Sequence, residues 1–240
     1  MHVGGKVTLW GMIDARTITF PVEAEDFNAA VARYPVPADR ARELVCGCGF
    51  DVVEARPGTA TLIISAIDFR RHQWGSFRAV SFALLARPTG QPDAPVCPFV
   101  LQSPVDKRLS FEAGHRAQRL VRTLERIDVG YDDRDVTFAL MVEGEPTMAL
   151  HVPRVAPAAT PARSSSWVYT AVDGVRYRTA VDFAMGTGDV EPARVGLTLG
   201  TSPLADTLRA LGLPHPPDGC SWGEGLSASY EMAEELPGLP

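Results

Sequence analysis

The sequence predicts a mainly β protein of the α+β kind: one antiparallel sheet curled into a barrel around a cavity, with a few short peripheral helices. Two observations carry this. About eleven short apolar or β-branched runs are separated by Pro and Gly, against about four stretches with a helical period. Turn signals sit between the runs, with Asp173-Gly174 joining two alternating segments and Glu143–Pro146 joining another pair. A sheet of that extent closes on itself and leaves an interior able to hold a small ligand. At 240 residues the chain can bury a substantial core, and residues 1–240 read as a single domain.

Along the chain, Arg16–Val22 (RTITFPV), Phe50–Glu54, Thr59–Asp68 (TATLIISAID), Ser76–Arg87 and Val96–Leu101 read as strands. Leu124–Val129, Val136–Val142, Thr147–Val152, Trp167–Val172, Arg176–Phe183 and Arg194–Leu199 follow on the same grounds. Helical periods fall on Asp26–Arg33 and Ala38–Val45, either side of the Tyr34–Pro37 break, and on Glu112–Thr123. Pro203–Leu211 is the best-marked helix. Ser202 caps it, Pro203 sits in its first turn, Gly212 stops it, and Leu204, Leu208 and Leu211 give it one apolar face. Pro153–Ser166 (PRVAPAATPARSSS) is too rich in proline and small residues for regular structure and reads as a loop.

Composition excludes several classes. A net charge of −6 leaves too little positive charge to neutralise a nucleic-acid backbone. No run approaches the ~18 apolar residues of a membrane span, and the first twenty residues lack the apolar core of a secretory signal. Cys46 and Cys48 (C-x-C) have no ligand partner nearby, and Cys97 and Cys220 stand alone, so free thiols in a reduced cytoplasmic protein are expected, with no metal and no cofactor. Only Lys6 and Lys107 are lysines. The arginine-, alanine- and proline-rich composition suggests GC-rich bacterial coding. Gly47-Cys-Gly49 and Gly186-Thr-Gly188 open no helix of a βαβ unit and are not phosphate loops.

Phe111–Val129 (FEAGHRAQRLVRTLERIDV) resembles the active-site segment of the acetoacetate decarboxylase superfamily, which runs Gly-Arg-Glu, aromatic, Gly, aromatic or Leu, Pro-Lys, then Ile-Asp-Val. On a gapless register His115 stands at the Arg, Arg116 at the Glu, Val121 at the Pro, and Arg122 at the Lys. Gly75–Val80 (GSFRAV) is similar to the family's Gly-x-Tyr-x-Glu-Val, with Ala79 in place of the carboxylate. Leu199–Leu213 (LGTSPLADTLRALGL) resembles its C-terminal helix motif. The order of elements is similar from about Asp14 to Pro237.

The resemblance implies a barrel with a cavity and, for the family, decarboxylation through a lysine imine. This chain lacks the means. A desolvated lysine is neutral enough to attack a carbonyl, whereas a guanidinium stays protonated and is no nucleophile. Arg122 facing the cavity would bind a carboxylate or enolate with forked hydrogen bonds and stabilise a growing oxyanion. Otherwise it ties to Glu112, Glu125 or a backbone carbonyl.

His115 is a candidate acid or base, with Arg116 beside it, or an ordinary hydrogen-bonded histidine. The register implies substrate contacts from Phe77, Ala79, Trp74 and Glu112, and from Arg16 at the place of a family arginine that meets substrate carboxylate. Phe77 and Ala79 share a strand face, and Arg78 takes the other. His72 reads as a loop-rim residue, either at the cavity mouth or simply on the surface. Asp182 is a cavity candidate if its face of Arg176–Phe183 turns inward. The expected function is a Schiff-base-independent cyclase, dehydratase or isomerase on a polyketide or other β-keto substrate. The alternative is a non-catalytic small-molecule binder; a true β-keto acid decarboxylase is the remaining reading. A small molecule is the expected partner, with neither nucleic acid nor membrane, and a homo-oligomer is compatible with exposed β edges.

Overall fold

Alternation with period two places the same strands in two different cores. The computed structural model describes residues 7–157 and 162–237. Strands β1 (Thr8–Ile13) and β2 (Arg16–Phe20) form a hairpin arm. β3 (Val22–Pro37) leads into α1 (Ala38–Val45), then β4 (Phe50–Val52), β5 (Glu54–Arg56), β6 (Thr59–His72), β7 (Phe77–Pro88) and β8 (Cys97–Gln102). After α2 (Arg108–Arg116) come β9 (Arg126–Tyr131), β10 (Asp135–Val142), β11 (Glu145–Pro153), β12 (Ala162–Val172) and β13 (Val175–Met185). β14 (Thr187–Val190), β15 (Gly196–Leu199), α3 (Pro203–Ala210), β16 (Gly219–Tyr230) and β17 (Glu234–Glu235) complete the order.

β16, β3, β6, β7, β8, β12 and β13 follow one another by hydrogen bonding, and β13 pairs back onto β16, so the path closes. The contacts are antiparallel except for β8 with β12, which is parallel and rests on the pair Tyr169–Phe99. A second sheet, β15-β11-β10-β9, stacks against this ring. Even-numbered residues of β6 and β7 (Leu62, Ile64, Phe82, Leu84) meet Phe138, Leu140 and Leu150 of the second sheet in the main core. Odd-numbered Phe69, Phe77 and Ala79 turn to the other face, where they gather with Phe27, Val181, Leu226 and Ala228. The shared inward face of Phe77 and Ala79 is thus as the alternation requires.

Four departures from the sequence reading have physical causes. Asp26–Arg33 is not a helix but the middle of β3. That strand is paired on both edges and covered on both faces, so its alanines fit between two cores, and tertiary packing overrides helix propensity. The helix at Glu112–Thr123 is instead α2, starting earlier and stopping at Arg116, because Arg119 takes a positive φ of 55° and the chain turns back. Within the loop expected at Pro153–Ser166, Ala162–Ser166 already pair with β13 as the start of β12; positions 158–161 lie outside the described residues. β16 escaped the sequence reading altogether, because Gly219, Gly223 and Gly225 mask its alternation and two bulges break its register with β3.

α1 and α3 form as expected. In α3 the Ser202 hydroxyl accepts from the Ala205 N–H at 3.2 Å and also from Thr147 Oγ1 at 2.8 Å, while fully buried. Ser202→Ala is therefore expected to cost about 1–2 kcal/mol in a urea titration, the upper end of a lost N-cap. Among the described residues no helix is long and apolar enough to cross a membrane.

Candidate functional site

Beyond α2, the Leu120 N–H bonds the Gly114 carbonyl at 3.0 Å, which folds the following segment back along the helix. Val121 and Thr123 then accept from Ser103 and Val105, and Val105 bridges Ala79 on β7. The side chain of Arg122 consequently lies across α2 at Gly114, where a Cβ would overlap its Nε, Cδ and Cζ. Nη1 donates to the Ser110 carbonyl at 2.6 Å and to the Ser110 hydroxyl at 2.7 Å. The Cζ sits 5.6 Å from the ring centres of both Trp74 and Phe77, within cation–π reach.

No carboxylate answers this charge. Glu112 pairs with Arg108, Glu125 accepts from the Glu143 N–H, and Arg122 makes no ion pair among the described residues. Its Nε is enclosed without a hydrogen-bond partner, as is the neighbouring Trp74 Nε1. The backbone-carbonyl tie is therefore real, but it occupies one nitrogen of the fork and leaves the charge uncompensated. Burial draws the guanidinium down to about 10, with the Tyr230 phenol pulling the other way. It remains a cation at neutral pH.

Two residues that the sequence reading did not promote complete the cluster. Tyr230, at the end of β16, touches both the Phe69–Phe77 core and the core holding Trp74; burial pushes its phenol up to about 12. His72, at the end of β6, is packed against Phe69, Trp74 and Phe77 with ring centres 5.1, 5.0 and 4.9 Å apart. Burial, then the Arg122 charge, hold its imidazole down to about 3. It is thus no plain surface histidine. The signal available in sequence was its spacing, two residues from Trp74 and five from Phe77.

A neutral, partly buried histidine has a stability consequence. Its folded pKa is depressed, so its contribution is complete above the unfolded value near 6.5 and is lost as pH falls toward 3. Between about pH 6 and 5 this one proton steepens the loss toward ~1.4 kcal/mol per pH unit. Urea titrations across that window should show the slope in the wild type and a flatter one in His72→Gln.

The remaining site candidates fall elsewhere. Trp74, Phe77 and Ala79 are buried around Arg122 and its neighbours. His115 is exposed and stacks on Phe111, Arg116 is exposed over Trp10, and Glu112 is held by Arg108. α2 turns its Ala113–Gly114 face inward, which forces the two residues after it outward, so His115 and Arg116 do not join the buried cluster. Arg16 is exposed where β1 turns into β2 and is not among the residues that touch Arg122. Lys107 is exposed at the N-terminus of α2. The four cysteines are free thiols, and no metal-binding cluster occurs among the described residues.

A groove of about 1240 Å³ opens beside the cluster, lined by His72, Gln73, Ala24, Phe183, Ala228 and Asp182 among others, with serines at 164, 165, 227 and 229. Its walls are more polar than the apolar cavity expected from the sequence. Asp182 does face it, accepting from the Ser165 hydroxyl. His72 is the member of the Arg122 cluster that lines the groove.

No family model matches this sequence, and no curated protein does. Solved structures do. Acetoacetate decarboxylase from Legionella pneumophila superposes with a TM-score of 0.72 at 10% identity, over 95% of this chain and 93% of that one. An acetoacetate decarboxylase-like enzyme from Sphingomonas wittichii gives 0.61 at 12% identity, over 96% and 99%. The enduracididine biosynthesis enzyme MppR, complexed with pyruvate, gives 0.59 at 15% identity, over 93% of each chain. Over nearly its whole length, this chain has the acetoacetate decarboxylase-like fold.

Proposed function

We propose that the protein is a Schiff-base-independent, lyase-like enzyme of cyclase, dehydratase or isomerase type, acting on a polyketide or other β-keto substrate of specialised metabolism through Arg122. One observation carries the reading: a partly buried arginine with no carboxylate partner among the described residues and an enclosed, unpartnered Nε. An uncompensated cation in a low-dielectric site is costly unless something anionic is meant to arrive. When a β-keto carbonyl loses an α-proton or a neighbouring group, its oxygen becomes an enolate. A fixed positive charge behind the His72 ring stabilises that oxygen electrostatically, and more strongly in low-dielectric surroundings than in water. Trp74 and Phe77 keep water from the cation, and Ala79 leaves the space free of an opposing carboxylate. Glu23, Asp182 and Glu231 on the groove wall are carboxylates placed to accept an α-proton.

Size supports a chain longer than acetoacetate, since the groove exceeds the usual 300–1,000 Å³ of small-ligand pockets. That MppR is described with pyruvate bound supports a keto-acid ligand on this fold. In the same reading the protein is a cytoplasmic homo-oligomer, with the exposed Val7, Leu9 and Met12 of the hairpin arm covered by another copy.

The test is exchange of α-protons of acetoacetate into deuterated water, followed by NMR. Exchange that proceeds in the presence of borohydride and leaves no mass adduct is the expected result. A borohydride-trapped adduct overturns the imine-free mechanism. A ligand that saturates the protein and returns without exchange makes it a container, the alternative function.

A further inference from the structure

We propose that His72 is a catalytic residue of this site, offering Nε2–H of a neutral imidazole to the carbonyl oxygen of a β-keto substrate seated in the groove. The inference rests on the function proposed above and names the group through which the site touches that substrate. The Trp74 backbone N–H donates to His72 Nδ1 at 3.0 Å, so Nδ1 is the acceptor and the proton of the neutral ring stands on Nε2. Among the described residues Nε2 has no hydrogen-bond partner, yet it is not one of the sealed orphan atoms. His72 itself lines the groove. Its ring is fixed by Phe69, Trp74 and Phe77, so the donor is held in place before substrate arrives.

The surrounding charges favour this form. Arg122 lies behind the ring and opposes an imidazolium. Around the groove, Arg70 is paired with Asp26 and Arg71 with Glu25 at 3.7 Å, while Glu23 accepts from Ser229 at 2.9 Å. Asp182 is engaged by Ser165, and Arg163 and Glu231 stand farther along the wall. A neutral imidazole keeps its proton while the carbonyl oxygen gains charge. No bond at His72 forms or breaks, and the hydrogen bond strengthens as the enolate develops.

Two measurements on the full chain test this. Nitrogen-15 spectra of the histidine side chains, between about pH 5 and 8, should show His72 neutral with its proton on Nε2. An imidazolium or an Nδ1–H form overturns the proposal, and this result needs no variant. The second uses acetoacetate exchange. His72→Gln, whose amide N–H reaches near the Nε2 position, should stay within about tenfold of wild type, whereas His72→Phe should lose ~10²-fold in kcat with KM little changed. Wild-type exchange in His72→Phe overturns the inference and leaves the role of Arg122 standing. Wild-type exchange in an Arg122→Ala variant, or none in the wild type itself, overturns the proposed function.

Discussion

Arg122→Ala should lower exchange or turnover of a β-keto substrate by on the order of 10²–10³, about 2.7–4 kcal/mol of transition-state stabilisation. The fold should scarcely notice. Removing a buried charge that no carboxylate balances relieves a desolvation cost, which offsets the partner lost by the Ser110 carbonyl and hydroxyl, worth about 1–3 kcal/mol. A melting temperature within a few degrees of wild type, combined with collapse of activity, separates a functional guanidinium from a structural tie. Arg122→Lys sharpens the same point. An amine in this enclosed, apolar place would have its charged form disfavoured, and so would attack carbonyls. Mass spectrometry after borohydride and pyruvate should find an adduct on the variant and none on the wild type. Equal absence from both would mean that the pocket does not activate an amine.

Gly114→Ala should reproduce most of that activity loss through a single methyl group. The new Cβ would occupy the space of the Arg122 Nε and Cζ, so the guanidinium must leave its seat over α2. Overpacking of this kind costs about 1–3 kcal/mol, but alanine gains ~0.5–1 kcal/mol over glycine inside a helix. The net stability change should be near 1 kcal/mol, while activity falls by ~10². A double variant with Arg122→Ala should be no less active than Arg122→Ala alone, because both changes remove one interaction. Additive losses would show that Gly114 acts on something else.

The location of this site was written in sequence more plainly than its composition. Arg122, Gly114, Phe77 and Ala79 stand on recognisable segments, and period-two alternation alone puts Phe77 and Ala79 on one face. His115 and Arg116 lie on the same segment and yet point to solvent, because α2 buries its Ala113–Gly114 face, and the helix expected to reach Thr123 ends at Arg116. Helix ends depend on local backbone geometry, here a positive φ at Arg119, which arginine does not advertise. His72 and Tyr230 were undervalued for a different reason. Each closes a long strand, and its importance comes from neighbours far away in the chain: Arg122 lies fifty residues beyond His72 and about a hundred before Tyr230. β3 and β16 hid behind alanine and glycine, residues selected by crowding between two cores and by bulges rather than by strand preference.

The parallel join between β8 and β12 gives the ring a property that its other seams lack. Where neighbouring strands share long ladders, changing the circumference would break many backbone hydrogen bonds at once. At this join the register holds one pair, Tyr169 with Phe99, and the two sides are bolted by rings instead: Phe50 stacks on both, at 4.7 Å from Phe99 and 5.2 Å from Tyr169, and the Tyr169 hydroxyl donates to Pro95 at 3.0 Å. Side-chain bolts can slide where ladders must snap. Among the described residues the wall between β8 and β12 is therefore the seam of the ring with the fewest backbone pairs to break, closed like a clip more than welded like a pipe.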